Sequence, residues 1–181
     1  MVTTQLDQAT SAAVLLARAV SATGDKFALL AYGRGVRQQL VPGSGAGHLR
    51  LLVDLLAQVA SERGVANHLR AVARFKSLWR SRSLAVWITE VAESAGRPEI
   101  ATAVAELARR HLPLILLMEH PELAALADAD AMFATAAAHE MEERRRSLVA
   151  DLECGGALVV RTTSATLASV ALRKYHVDEH S

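Results

Sequence analysis

The chain has 181 residues, 51% of them hydrophobic and 22% charged, with a formal net charge of +1. That length fits one domain, residues 1–181, with room for a buried core. The balanced charge excludes a global field that would draw the chain to nucleic acid or to an anionic membrane, and neither partner is expected. Cys154 is the only cysteine, so no intrachain disulfide can form and a reducing, cytoplasmic setting is expected. No secretory apolar region follows Met1. The longest apolar run, about Leu112 to Met118, falls far short of the ~20 residues that span a bilayer, so no membrane segment is expected in this chain.

Leu6, Ala9, Ala13, Leu16, Ala17 and Val20 recur at helical spacing, and Gly24 stops that helix. Lys26 to Tyr32 reads as a strand, Gly33-Arg34-Gly35 as a tight turn, and Val36 to Val41 as a returning strand, which together predict an antiparallel hairpin. After the loop from Pro42 to Gly47, the stripe Leu49, Leu52, Val53, Leu56 and Val59 predicts a helix that Gly64 ends. Asn67 caps a third helix with Leu69, Val72, Ala73 and Trp79 on its inner side.

The segment Leu84 to Glu90 is a run of strand-forming residues that ends in a hydroxyl and an acid. A helical stretch follows Gly96, with Pro98 in its first turn, and runs to His111. Pro113 to Glu119 is fully apolar up to its last residue, the pattern of a parallel strand buried on both faces. Pro121 starts a short helix through Ala127, and a long helix runs from about Ala131 to Glu153. In it, Glu140–Arg144 and Glu142–Arg146 are i,i+4 pairs in the favourable orientation. A last strand, Ala157 to Arg161, and a last helix, Thr166 to Tyr175, complete the chain. Helices alternating with apolar strands predict an α/β fold: a three-layer, doubly wound, mainly parallel sheet with one antiparallel edge hairpin.

Ligands in such sheets bind where the carboxyl ends of the strands open into loops, which places Thr89 and Glu90 on the functional rim, with Asn67 as a third candidate. Arg70, Arg74, Trp79 and Arg80 gather charge and one aromatic around the third helix, a docking patch for an acidic partner that competes with the plainer reading of a solvated helix face. Gly43 to His48 opens a helix as phosphate loops do, but no Lys-Ser/Thr follows, and a flexible connector is the better reading. His139-Glu140 begins a zinc-protease pattern whose second histidine position is Glu143. No catalytic residue is assigned.

The order of elements resembles a von Willebrand factor A-like domain, and more closely the bacterial domain-of-unknown-function family 58. The pieces that carry the resemblance are Leu6 to Ala9, Gly24 to Tyr32, Val86 to Glu90, Ala108 to Leu114, His120 to Leu123 and the end of the last helix at Lys174-Tyr175. The resemblance implies a non-enzymatic protein-interaction module working with an AAA+ ATPase of the MoxR type. It also implies a divalent-metal site made by an Asp-x-Ser-x-Ser loop, a threonine from a second loop and an aspartate after a later strand.

Here the first loop has no counterpart, the second region reads Val65-Ala66-Asn67, and the last acid is Glu90. Mg²⁺ demands about six oxygens in tight octahedral geometry, so Glu90, Thr89 and Asn67 make a degenerate site. No cofactor is expected, and Mg or Mn would bind only with the missing loop supplied. The missing strand would lie mid-sheet between Lys26–Tyr32 and Leu84–Thr89. Leaving about five to ten buried backbone groups unpaired, at ~1–3 kcal/mol each, would rival the stability of a domain. Either the two neighbouring strands pair directly, or another chain fills the gap by self-association, or the chain is a fragment of a longer product whose upstream part would carry any membrane anchor; the fragment is the expected case. The alternative is a small doubly wound hydrolase or phosphate-ester-binding enzyme with Glu90 as general acid or base.

Overall fold

A computed structural model describes residues 4–62, 64–90, 99–119, 133–163, 166–167, 169–171 and 173. The expected helix at Pro121–Ala127, the stretch after Gly96 with Pro98, and the end of the last helix at Lys174-Tyr175 lie outside the described residues. The protein is mixed α/β, with a parallel three-stranded sheet and an antiparallel two-stranded one among the described residues. It forms two compact units: a first made of the residues up to Ser83 together with those after Thr163, and a second, Leu84–Thr163.

In the first unit, α1 (Gln5–Thr23) starts at a reciprocal cap. Thr4 accepts from the Asp7 N–H while the Asp7 carboxylate accepts from the Thr4 N–H. Those bonds to Thr4 hold the Asp7 carboxyl below the ordinary aspartate range. The helix stops where expected, at Gly24, whose φ of 82° is a left-handed value that suits glycine. The hairpin follows as β1 (Phe27–Tyr32) and β2 (Val36–Gly43). Its ladder shifts register between Phe27 and Leu29 and again between Ala31 and Tyr32. Then come α2 (Ala46–Leu56) and α3 (His68–Leu78). The core of this unit is Ala17, Phe27, Leu40, Leu52 and Leu56.

The expected helix faces are rotated in two places. On α2, Leu52 and Leu56 are buried, but Val53 is 39% exposed. On α3, Ala71 and Val72 are buried, whereas Leu69 and Ala73, expected inside, are exposed. At about 100° per residue, Leu69 and Ala73 both lie some 200° from Ala71, on the far side of the helix.

The second unit is β3 (Leu84–Glu90), α4 (Glu99–Ala108), β4 (Leu112–Glu119), α5 (Phe133–Cys154) and β5 (Leu158–Thr163). The strands lie in the order β3-β4-β5, all parallel, with an unbroken register from Leu84↔Leu112 to Glu90↔Met118. Both crossovers step the same way across the sheet. Right-handed crossovers then place both helices on one face, and α4 and α5 do pack against each other. Ile100, Ala103, Val104 and Leu107 form the buried stripe of α4, and Leu148 and Leu152 are buried on α5. Leu114, Ile115 and Leu116 of β4 are fully buried, so successive residues on opposite faces are enclosed, as its apolar run predicted.

The hairpin was expected at the edge of the parallel sheet. Instead β1 bonds to β2 and the two make a sheet of their own. A hairpin needs only its turn to close, whereas joining a distant strand needs complementary edges that the sequence pattern does not reveal.

Candidate functional site

The parallel register of the second unit fixes how its strand ends meet. Glu90, Met118 and Thr162 lie in one row across β3, β4 and β5, and Thr89, Leu117 and Arg161 lie in the row before it. Side chains in one row of a parallel sheet share a face, and the two rows face opposite ways. Arg161 meets Glu142 of α5, so the row of Thr89 and Leu117 is on the helix side. The row of Glu90 and Thr162 points the other way.

Glu90 ends β3 and is exposed. The Thr89 hydroxyl donates to the Glu90 carbonyl at 3.3 Å. Thr162, at 4% exposure, is one of the few buried polar residues, and its hydroxyl donates to the Thr163 carbonyl at 3.1 Å. The rim therefore offers the exposed Glu90 carboxylate beside hydroxyls that already serve the backbone. That set can accept hydrogen bonds from a partner. It supplies far fewer than the six oxygens that Mg²⁺ takes. Among the described residues no group of three or more His, Cys, Asp or Glu side chains is placed to hold a metal ion.

The strongest electrostatic feature of this unit is one the sequence reading missed. The Arg161 guanidinium grips Glu142 through two bonds, 2.8 Å and 3.1 Å, in the planar fork geometry suited to a carboxylate. Arg146 adds a second cation at 3.5 Å from the same carboxylate. Glu142 is held below the ordinary glutamate range, first by the Arg161 hydrogen bonds, which outweigh the opposing effect of burial, and then by the weaker pull of the Arg161, Arg146 and Arg145 charges. A lone arginine closing the run Leu158-Val159-Val160 was the available clue.

Asn67 belongs to the first unit. It caps α3, its side-chain oxygen accepting from the Arg70 N–H at 2.8 Å, and its own N–H donates to the Gly33 carbonyl at 2.9 Å. Of the arginine patch, Arg70 and Arg80 are exposed. Arg74 donates to Gln39 of β2 at 2.7 Å, which ties α3 to the hairpin. Trp79 is half-buried just past the end of α3, and its N–H closes the last turn onto the Phe75 carbonyl at 2.9 Å. Tyr32 and His68 also meet in this unit, hydroxyl to Nδ1 at 2.8 Å.

The connector from Gly43 to His48 has a structural explanation. The His48 ring packs on Phe27 at 4.8 Å between centroids, and its Nε2 lies 3.0 Å from the Phe27 carbonyl. A side chain at Gly43 would put its Cβ 2.6 Å from that ring, so glycine is needed there for close approach. His139 on α5 lies 3.8 Å from Glu143, the position where a zinc-protease pattern would need its second histidine. Cys154 is exposed at the end of α5.

No protein-family profile matches the chain, and none of the characterised proteins matches it. No helix among the described residues is long and apolar enough to cross a membrane.

Proposed function

We propose that the chain is a non-enzymatic protein-interaction module of the von Willebrand A-like type with a degenerate metal site, and that its partner is a MoxR-type AAA+ ATPase. The reading draws on the order of elements, in which helix, hairpin, two helices and then parallel strands with helical crossovers follow one another. In this reading the partner meets the strand-end rim at Thr89 and Glu90. The arginine face at Arg70 and Arg74 is a second, separate contact.

One observation carries the binding role over an enzymatic one. Glu90 is exposed at the rim with no shaped pocket described around it, while the arginine on the neighbouring row is already neutralised by Glu142. A general base needs a pocket that brings a substrate's proton within hydrogen-bond reach, and a cation needs a fuller set of oxygens.

The test is calorimetric titration of the chain with a MoxR-type ATPase from the same genome, and separately with Mg²⁺ and Mn²⁺. Saturable ATPase binding, weakened by Glu90→Lys or Arg74→Glu, together with no heat from either metal, is the expected result. Metal binding that Glu90→Gln abolishes would overturn the degenerate site. Phosphate-ester hydrolysis lost in Glu90→Gln would replace the binding module with a hydrolase.

A further inference from the structure

Between α1 and α2 of the first unit lies an open groove of about 450 Å³, walled by Thr10, Ser11, Val14 and Leu15 of α1 and by Val53 of α2. Leu15 of α1 is 40% exposed and Val53 of α2 39% exposed, so each helix brings a large, partly uncovered apolar side chain to the groove. The two hydroxyls in the wall are already used. Thr10 donates to the Asp7 carbonyl at 2.9 Å and Ser11 to the same carbonyl at 2.7 Å. The groove thus shows a partner mostly carbon, more than its sequence suggests.

The wall of α1 has an internal symmetry. About the midpoint between Ala12 and Ala13, Ser11 mirrors Val14, Thr10 mirrors Leu15, and Asp7 mirrors Arg18. Asp7 and Arg18 are both exposed. Thr4 takes one oxygen of Asp7, Oδ2, at 2.8 Å and 2.7 Å, and Arg18 forms no ion pair among the described residues. In a two-fold contact, residue i of one copy meets residue j of the other and j meets i. An antiparallel second α1 centred on that midpoint sets each small side chain against a large one, twice over. It also sets each Asp7 against an Arg18. A parallel copy would set aspartate on aspartate and arginine on arginine, so charge selects the antiparallel arrangement.

We propose that this α1–α2 face is a self-association surface, on which a second copy of the chain docks its own α1 antiparallel about a two-fold axis that passes between Ser11 and Val14. The proposal does not depend on the ATPase reading. It names a surface other than a sheet edge.

Sedimentation velocity of the whole chain from about 1 µM to about 1 mM, the range in which contacts of this size dissociate, reads the equilibrium. A concentration-dependent dimer is expected. Arg18→Glu, which makes both ion pairs repulsive, is expected to weaken it about tenfold or more, and Leu15→Asp to abolish it. Circular dichroism checks that both variants stay folded, as their exposure implies.

Orientation is read by cysteine crosslinking in a Cys154→Ser background, which removes the exposed native thiol. Ser11→Cys lies beside the axis and should link two copies under mild oxidation. Thr23→Cys places its two copies about 30 Å apart at 1.5 Å per residue and should not. A chain that stays monomeric throughout, a dimer that survives Leu15→Asp and Arg18→Glu, or linkage at Thr23→Cys would each overturn the proposal.

Discussion

Replacing Leu116 by alanine removes a side chain at the centre of the middle strand. Leu116 is fully buried and sits between Ile88 of β3 and Val160 of β5 in the register. Losing the three carbons forfeits about 2.4 kcal/mol of transfer free energy at ~0.8 kcal/mol per carbon. The cavity cannot easily collapse, because β4 is hydrogen-bonded on both sides and its backbone is pinned. Its cost therefore adds to the transfer loss, for a total of about 3–5 kcal/mol. The control is Leu158→Ala on β5, where the side chain is 40% exposed and the cost should stay under about 1 kcal/mol. Urea unfolding followed by circular dichroism reads both, and at ~1–3 kcal/mol per molar the Leu116 variant should shift its midpoint by about 2 M. In a thermal scan the same loss is about 10 °C for a chain of this size. Equal costs for the two leucines, within about 1 kcal/mol, would refute a middle strand enclosed on both faces.

Removing the Arg161–Glu142 pair with Glu142→Gln should cost about 0.5–1 kcal/mol, since both side chains are about a third exposed and screened, and Arg161→Gln in the same background should add little. Because Glu142 is held below its ordinary range, this stabilisation is fully present above the unfolded glutamate value and is lost as pH falls through the depressed one. Wild type and Glu142→Gln should therefore converge in acid, and a difference that persists at about pH 2 would refute the pairing. Asn67→Ala should cost about 1 kcal/mol through loss of the α3 cap, read by chemical unfolding. A change under about 0.3 kcal/mol would deny that role.

Local features were legible in the sequence and long-range ones were not. Gly24 ends α1, Asn67 caps α3, and Glu140 meets Arg144 at 2.6 Å, all as spacing predicted, because each depends on residues within a turn or two of helix. β5 runs through Thr163 rather than stopping at Arg161, and β2 includes Pro42, which is tolerated on a strand whose outer edge makes no ladder bonds among the described residues. The pairings between distant segments had no local trace. Arg161 reaches Glu142 across 19 residues, Arg74 reaches Gln39 across 35, and Tyr32 reaches His68 across 36. Each depends on how elements dock, which hydrophobic period alone leaves open. The rotation of α3 has the same origin. Its apolar residues populate more than one stripe, and only docking decides which is buried.

Glu62 receives both Arg34, from the hairpin turn at 2.7 Å, and Arg37 of β2, and the same turn accepts the Asn67 N–H through Gly33. The bonds from Arg37 and then Arg34 hold the Glu62 carboxyl below the ordinary glutamate range. The tip of the hairpin and the entrance to α3 are thereby buckled together, so the turn cannot lengthen by even one residue without unthreading both guanidinium groups. Loop-length variation in close kin should avoid this corner. Acid, by protonating a single carboxylate, should loosen both guanidinium groups while the Asn67–Gly33 backbone bond still holds the tip.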